Sequence, residues 1–290
     1  MTNKRLSGPQ ACSDEAIAVV TMLAIYQRMH HQQAIGLVHF EGLKRMIQLR
    51  GGLAKLTIEH RALAQKPWRL ALEFALQDGS APAFGLEEIP ECDHVLRPHH
   101  GTKDFDSFDL PIDPKLRAQL RAISVFTDYL NTAHTKLDPH DYSDAVCIRL
   151  HRLLDYATLN DPVGEPLSSL VHLTLVAIMT TLLPEYGQNQ ARYNILADRL
   201  RDALQDCAAV ITDMDAETLL WAVLVGYATV LTNEEDERWL VSLGSRLFSR
   251  LGVHDWIYTH SILCRYGWID AFYDQAGLKL LRKINEAACN

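Results

Sequence analysis

The chain has 290 residues, 48% of them hydrophobic, enough apolar material for one large core or two smaller ones packed together. Its 28 Lys and Arg against 36 Asp and Glu leave a formal charge of −8. That is the wrong sign for a surface that gains affinity by neutralising phosphates, so the expectation is no unaided binding to nucleic acid or to an anionic membrane.

Helix punctuation recurs along the whole chain, and Asp78-Gly79, the one occurrence of Asn-Gly or Asp-Gly, falls at a predicted helix end. Ser13, followed by Asp14 and Glu15, predicts the cap of a first helix reaching about Gln33, with Ile17, Val20, Leu23 and Ala24 at helical spacing. A second helix, read as continuous or nearly so with the first, carries Leu37, Phe40, Leu43, Met46, Ile47 and Leu49 and stops at Gly51-Gly52. Pro67 suits the first turn of a further helix with Trp68, Leu70, Leu72, Phe74 and Leu76. The pattern breaks over about 80–112, a stretch rich in proline and acids that is read as one long irregular loop.

Asp113-Pro114 restarts helix in cap and first-turn order, with Leu116, Leu120, Ile123 and Leu130 on its core face and Pro139 as its end. Seven further helices are predicted over Ser143–Leu159, Pro166–Leu183, about Asn189–Ile211, Asp215–Leu231, Asn233–Leu251, Asp255–Arg265 and Trp268 to about Ala287. Leu167–Leu183 is interrupted by serine, threonine and histidine, and Leu219–Leu231 is shorter than the roughly 20 residues a bilayer requires, so both read as buried helices and no membrane is expected. The fold class is all-α: one array of about ten or eleven helices over residues 1–290, with antiparallel helix pairs as the local unit.

Side-chain chemistry is sparse. No Gly-x-Ser-x-Gly elbow, glycine-rich phosphate loop or His-Glu-x-x-His helix occurs, so no catalytic residue, cofactor or metal site is assigned. Cys92, His94, His99 and His100 have metal-ligand character but read first as parts of a solvated loop. The six cysteines (12, 92, 147, 207, 264, 289) show no Cys-x-x-Cys spacing and read as reduced thiols of a nuclear or cytosolic protein. His30-His31 reads as a surface patch, Asp213 and Asp215 as caps, and Glu234 to Glu237 as the complement of a helix dipole. Trp221, Tyr227 and Trp256 are the candidate lining of an apolar pocket, against ordinary core packing as the plainer reading. In Asp104–Asp113 acids alternate with Phe105, Phe108 and Leu110, the composition of an activation segment whose apolar side chains meet a partner; the plainer alternative is a loop docked on its own domain.

The most informative text is His39-Phe-Glu-Gly-Leu-Lys-Arg-Met-Ile-Gln-Leu-Arg-Gly-Gly-Leu53. It resembles the His-x-x-Gly-Leu-x-x-Met-Val-x-x-Arg-Gly-Gly-Leu signature in the regulatory region of fungal zinc-cluster transcription factors, with Ile47 in the place of Val. The matching positions are His39, Gly42, Leu43, Met46, Arg50, Gly51, Gly52 and Leu53. Leu251-Gly-Val-His-Asp-Trp256 and Tyr266-Gly-Trp268-Ile-Asp270 are similar to that family's later Leu-Gly-(Ile/Val)-x-x-Trp and Trp-x-Asp elements. Physically, Gly42 is expected to let two helices approach closely, Arg50 to bond carbonyls at a helix end, Gly51 to turn the chain, and His39 to sit half-buried against nearby backbone.

The resemblance implies a nuclear, or nuclear and cytoplasmic, regulatory domain that acts through partners in control of a fungal metabolic or secondary-metabolite pathway. The six-cysteine DNA-binding module and basic linker of that family do not occur in these residues. The chain is then either a piece of a longer protein or naturally short, and the polar start at Met1 favours the second. The expected partners are a coactivator, a full-length relative or a second copy, with a small-molecule effector as a further candidate. The competing reading is an enzyme or small-molecule-binding protein of fungal metabolism that reuses the scaffold.

Overall fold

A computed structural model describes residues 12–89, 110–133, 137–183, 193–210, 216–253 and 255–288. These residues form eleven α-helices and one short 3₁₀ turn at Leu86–Glu88, and no strand occurs among them. No helix among them is long and apolar enough to cross a membrane. The chain divides into two compact units, one drawing on Met1–Val95 and Leu137–Asp155, the other on Leu96–Lys136, Tyr156–Leu183 and Arg192–Asn290.

The first unit begins with α1 (Asp14–Met29), whose cap Ser13 accepts from the Ala16 backbone N–H. α1 ends four residues earlier than its periodicity predicts and is not continuous with α2 (Gln33–Arg50), because His31 takes a left-handed φ of 57° between them. His30 and His31 are exposed there, as expected. α2 packs Gly36, Phe40, Leu43 and Ile47 inward and closes on Gly51, whose φ of 105° is open to glycine without Cβ strain. The expected core positions Leu23, Leu37 and Leu49 are instead exposed, and Ile25 and Gly36 take inward places.

α3 (Leu53–Asp78) is one helix with a break at His60 (φ −147°, ψ 74°) and a left-handed end at Gly79. Pro67 lies well inside it, so the predicted helix start is displaced to the His60 break. Its second half buries Trp68, Leu70, Leu72, Phe74 and Leu76, and Phe74 meets Phe40 of α2 at 5.0 Å between ring centroids. Glu73 is buried between Arg28 of α1, at 2.8 Å, and Arg69, at 3.4 Å. Burial raises its pKa while the two arginines oppose the rise.

α5 (Pro139–Tyr156) completes this unit, and Pro139 opens it where the sequence reading had Pro139 closing α4. Asp144 of α5 accepts from Arg61 and Gln65, and Asp141 accepts from Arg61. Trp68 donates to His151 Nδ1 at 3.1 Å. Cys147 is fully buried, and burial pushes its thiol up to about 12, which leaves it inert.

The second unit is built from α4 (Pro114–Thr132), α6 (Pro166–Thr181), α7 (Asn194–Val210), α8 (Ala216–Thr229), α9 (Glu234–Leu251), α10 (Trp256–Tyr266) and α11 (Asp270–Ala288). α8, and α6 despite its serines, threonines and histidine, are buried along most of their length, the pattern of central helices. Asp113, Glu165, Asn233 and Asp255 cap α4, α6, α9 and α10 through their side chains. Arg201 of α7 grips Asp236 of α9 with two N–H groups, at 2.6 and 2.9 Å. The acidic start of α9 is thus more than a dipole complement, since Asp236 is buried in this pair and Glu237 binds Lys283 and the Tyr227 hydroxyl.

Candidate functional site

The motif residues 39–53 fall on α2 and the α2–α3 turn, and they divide into three roles. Leu43, Leu53 and Ile47 are core. Arg50 donates to the Cys12 carbonyl at 2.9 Å and pairs with Asp14 at 2.7 Å and Glu59 at 3.3 Å, so it ties the start of α1 to the α2–α3 corner. Asp14 also meets His60 Nε2 at 2.9 Å, at the break in α3. His39 is half-buried on α2.

Gly42 departs from expectation. A Cβ placed there meets nothing within 4 Å among the described residues. The close approach belongs to Gly36, whose Cβ would stand 3.4 Å from the Ala24 carbonyl of α1 and 3.5 Å from the Phe74 ring. Gly42 lies on the opposite, solvent side of α2, in line with Ile35, Val38, the half-buried Met46 and Leu49.

α1 repeats that organisation. Its inward face is Ile17, Thr21, Ala24 and Ile25, and the opposite face carries Val19, Met22, Leu23, Tyr26 and Met29, all exposed. Ten of the fourteen large apolar side chains exposed among the described residues lie between Val19 and Ile58, with Val38 at 70% and Ile58 at 85%. Scattered singly, such residues need no explanation; here they form stripes at helical spacing on two paired helices. Motif reading missed this face, although the excess of apolar residues over one stripe on α1 and α2 was visible in the sequence.

Beside it, an open cleft of about 470 Å³ is lined by Asp14, Glu15, Ala18, His60, Arg61, Ala62 and Leu63. Its polar groups are engaged: Asp14 by Arg50 and His60, and Arg61 by Asp141 and Asp144.

The later motif lies in the second unit. Trp268 is buried, and its indole donates to Asp274 at 2.8 Å. Asn131 of α4 donates to the Trp268 carbonyl and to Asp270 Oδ1, and accepts the Asp270 backbone N–H. Trp256 meets Trp268 edge to face at 6.2 Å and lies against Gly277, where any Cβ would clash with its ring. His260 and Cys264 stand beside Asp270. Asn131, His260, Cys264 and Asp274 carry no motif signature, and only the fold gathers them.

The candidate pocket residues have separate engagements. Trp221 is fully buried, donates to the Gly267 carbonyl and stacks on Tyr266; the Tyr227 hydroxyl donates to Glu237; Trp256 packs with Trp268. Of the acidic-aromatic segment, Phe105 and Phe108 lie outside the described residues, as do Cys92, His94, His99, His100, Asp213 and Asp215. Leu110 is buried and its carbonyl accepts from Arg117 of α4, so it docks on its own unit and is not presented to a partner.

Comparison of the chain with protein-family models, with curated proteins and with solved structures finds no match.

Proposed function

We propose that this chain is a regulatory helical domain of the transcription-factor type that acts by binding a protein partner on the outer face of α1 and α2. The observation that carries this reading is the pair of exposed apolar stripes, with Gly42 set in the α2 stripe where, among the described residues, a Cβ would meet nothing within 4 Å. A glycine in an exposed helix interior costs about 1 kcal/mol relative to alanine. A partner helix lying across Gly42 accounts for it, because the missing side chain lets two backbones approach. Burying one Val, Leu or Met contributes about 1.5–3 kcal/mol, so a handful of these side chains offsets the roughly 4–15 kcal/mol that association costs.

The resemblance of residues 39–53 to the fungal zinc-cluster regulatory signature supplies the transcriptional context and the nuclear location, and the charge of −8 argues that any DNA contact is made by the partner. The rival reading, a small-molecule carrier or enzyme, asks for an enclosed pocket; the cleft at Asp14 and His60 is open, and its Asp14, His60 and Arg61 are already engaged in ion pairs.

Tethering the full chain to an unrelated DNA-binding domain tests the proposal. Reporter output is expected to change, and Met22→Glu with Val38→Glu is expected to remove the change while the thermal melt stays that of the parent. A silent tethered chain would dispose of the transcriptional reading. An equal response from the charged variant would place the partner surface elsewhere.

A further inference from the structure

Helices α10 and α11 of the second unit bring three different metal-ligating side chains to one point. His260 and Cys264 are one turn apart on the same face of α10, and Asp270 is the first residue of α11. Cys264 Sγ is 3.6 Å from His260 Nε2, and His260 Nε2 is 3.0 Å from Asp270 Oδ1. One ligand atom from each residue lies within 4.8 Å of the other two. With bonds of about 2.3 Å to sulfur and 2.0–2.1 Å to nitrogen and oxygen, the edges of a tetrahedral zinc site are about 3.5 Å for S···N and about 3.3 Å for N···O. The S···N and N···O separations match those edges within a few tenths of an ångström, and the S···O separation stays within 4.8 Å.

We propose that His260, Cys264 and Asp270 form a site for a divalent transition-metal ion, zinc by ligand type. The set mixes imidazole, thiolate and carboxylate, which suits zinc and is poorly matched to magnesium or calcium, whose ligands are oxygens. The surroundings of the ligands are those of a prepared site. Asn131 donates to Asp270 Oδ1 and receives the Asp270 N–H, which fixes the carboxylate at the head of α11. Asp274, 3.8 Å from His260 Nε2, is held by the Trp268 indole and adds negative charge beside the ion.

Three protein ligands leave the fourth tetrahedral position to water. The side chains of His260 and Asp270 are 29% and 44% exposed, so the ion exchanges with solvent. Binding displaces the thiol proton of Cys264 and any proton on His260 Nε2, and therefore weakens as pH falls.

Titration of the full chain with cobalt(II) reads the thiolate directly. The expected result is a near-ultraviolet sulfur-to-cobalt charge-transfer band with the visible bands of a tetrahedral ion, bleached by stoichiometric zinc. Cys264→Ser is expected to abolish the charge-transfer band, and His260→Gln and Asp270→Asn to weaken cobalt at least about tenfold. Cys207→Ser, a buried thiol on α7, should leave the band intact. Metal-free circular dichroism and melting of Cys264→Ser should equal those of the parent, and zinc should raise the parent's melting temperature but not the variant's. A band that survives Cys264→Ser places the ion on another thiol and overturns the proposal, as does a parent chain that gives no band.

Discussion

Single residues in this protein act through the partner that the fold gives them. The indole of Trp68 can only donate, so His151 Nδ1 must accept, and the ring is neutral with its proton on the nitrogen that faces the Phe84 backbone. Burial lowers the His151 pKa below its ordinary value. The unfolded chain therefore takes up this proton first. Stability is full above about pH 6.5, the unperturbed histidine value, and falls as pH drops below it toward the lowered native pKa. Urea unfolding across pH 5 to 8 should show that slope, and His151→Gln should flatten it. Gly51 is the other decisive residue: its φ of 105° makes Gly51→Val destabilising by about 1–3 kcal/mol. The one tight contact of a Cβ there is with the mobile Lys55 side chain, at Cδ, so most of the loss is backbone strain. Equilibrium unfolding of both proteins measures it.

Among the elements, what was legible in the sequence is what is decided locally. Asp113 before Pro114, Asn233, Asp255 and Gly51 mark helix boundaries because each answers to its own backbone, and the start of α4, α9, α10 and the end of α2 lie within a residue or two of where those signals set them. The α1–α2 break was not legible, since His31 carries no glycine signal for its left-handed turn. Nor could periodicity choose the inward face of helices that are apolar on both sides, which is why Leu23, Leu37 and Leu49 were misplaced. Gly36 and Gly42 are alike in sequence, and only the packing of α1 and Phe74 on one of them distinguishes their roles. The cluster at Asp270 joins residues up to 139 apart, beyond any spacing rule. The open side of α2 yields its own prediction: Gly42→Ala adds a methyl in open space and removes glycine's conformational freedom, so it should stabilise the isolated chain by about 0.5–1 kcal/mol in a chemical melt. A loss of stability would mean that the position is crowded.

For the molecule as a whole, the net charge sets the expectation for nucleic acid. A chain at −8 should bind duplex DNA only weakly and without sequence preference at physiological salt, as titration against a genomic-fragment library would report; submicromolar, selective binding by the chain alone would contradict the partner-borne DNA contact proposed above. The first unit is also discontinuous along the chain, since Arg61 and Trp68 of α3 each wait for a partner 83 residues later on α5. At about 5–20 residues per second on the ribosome, that interval lasts on the order of 4–17 s, whereas helices form in about a microsecond. During synthesis the side chains of α3 that pair with α5 are therefore made seconds before their partners. If α1, α2 and α3 collapse together in that interval they do so with the seat of α5 open, and slowing translation between α3 and α5 should then lower the soluble yield without altering the finished protein.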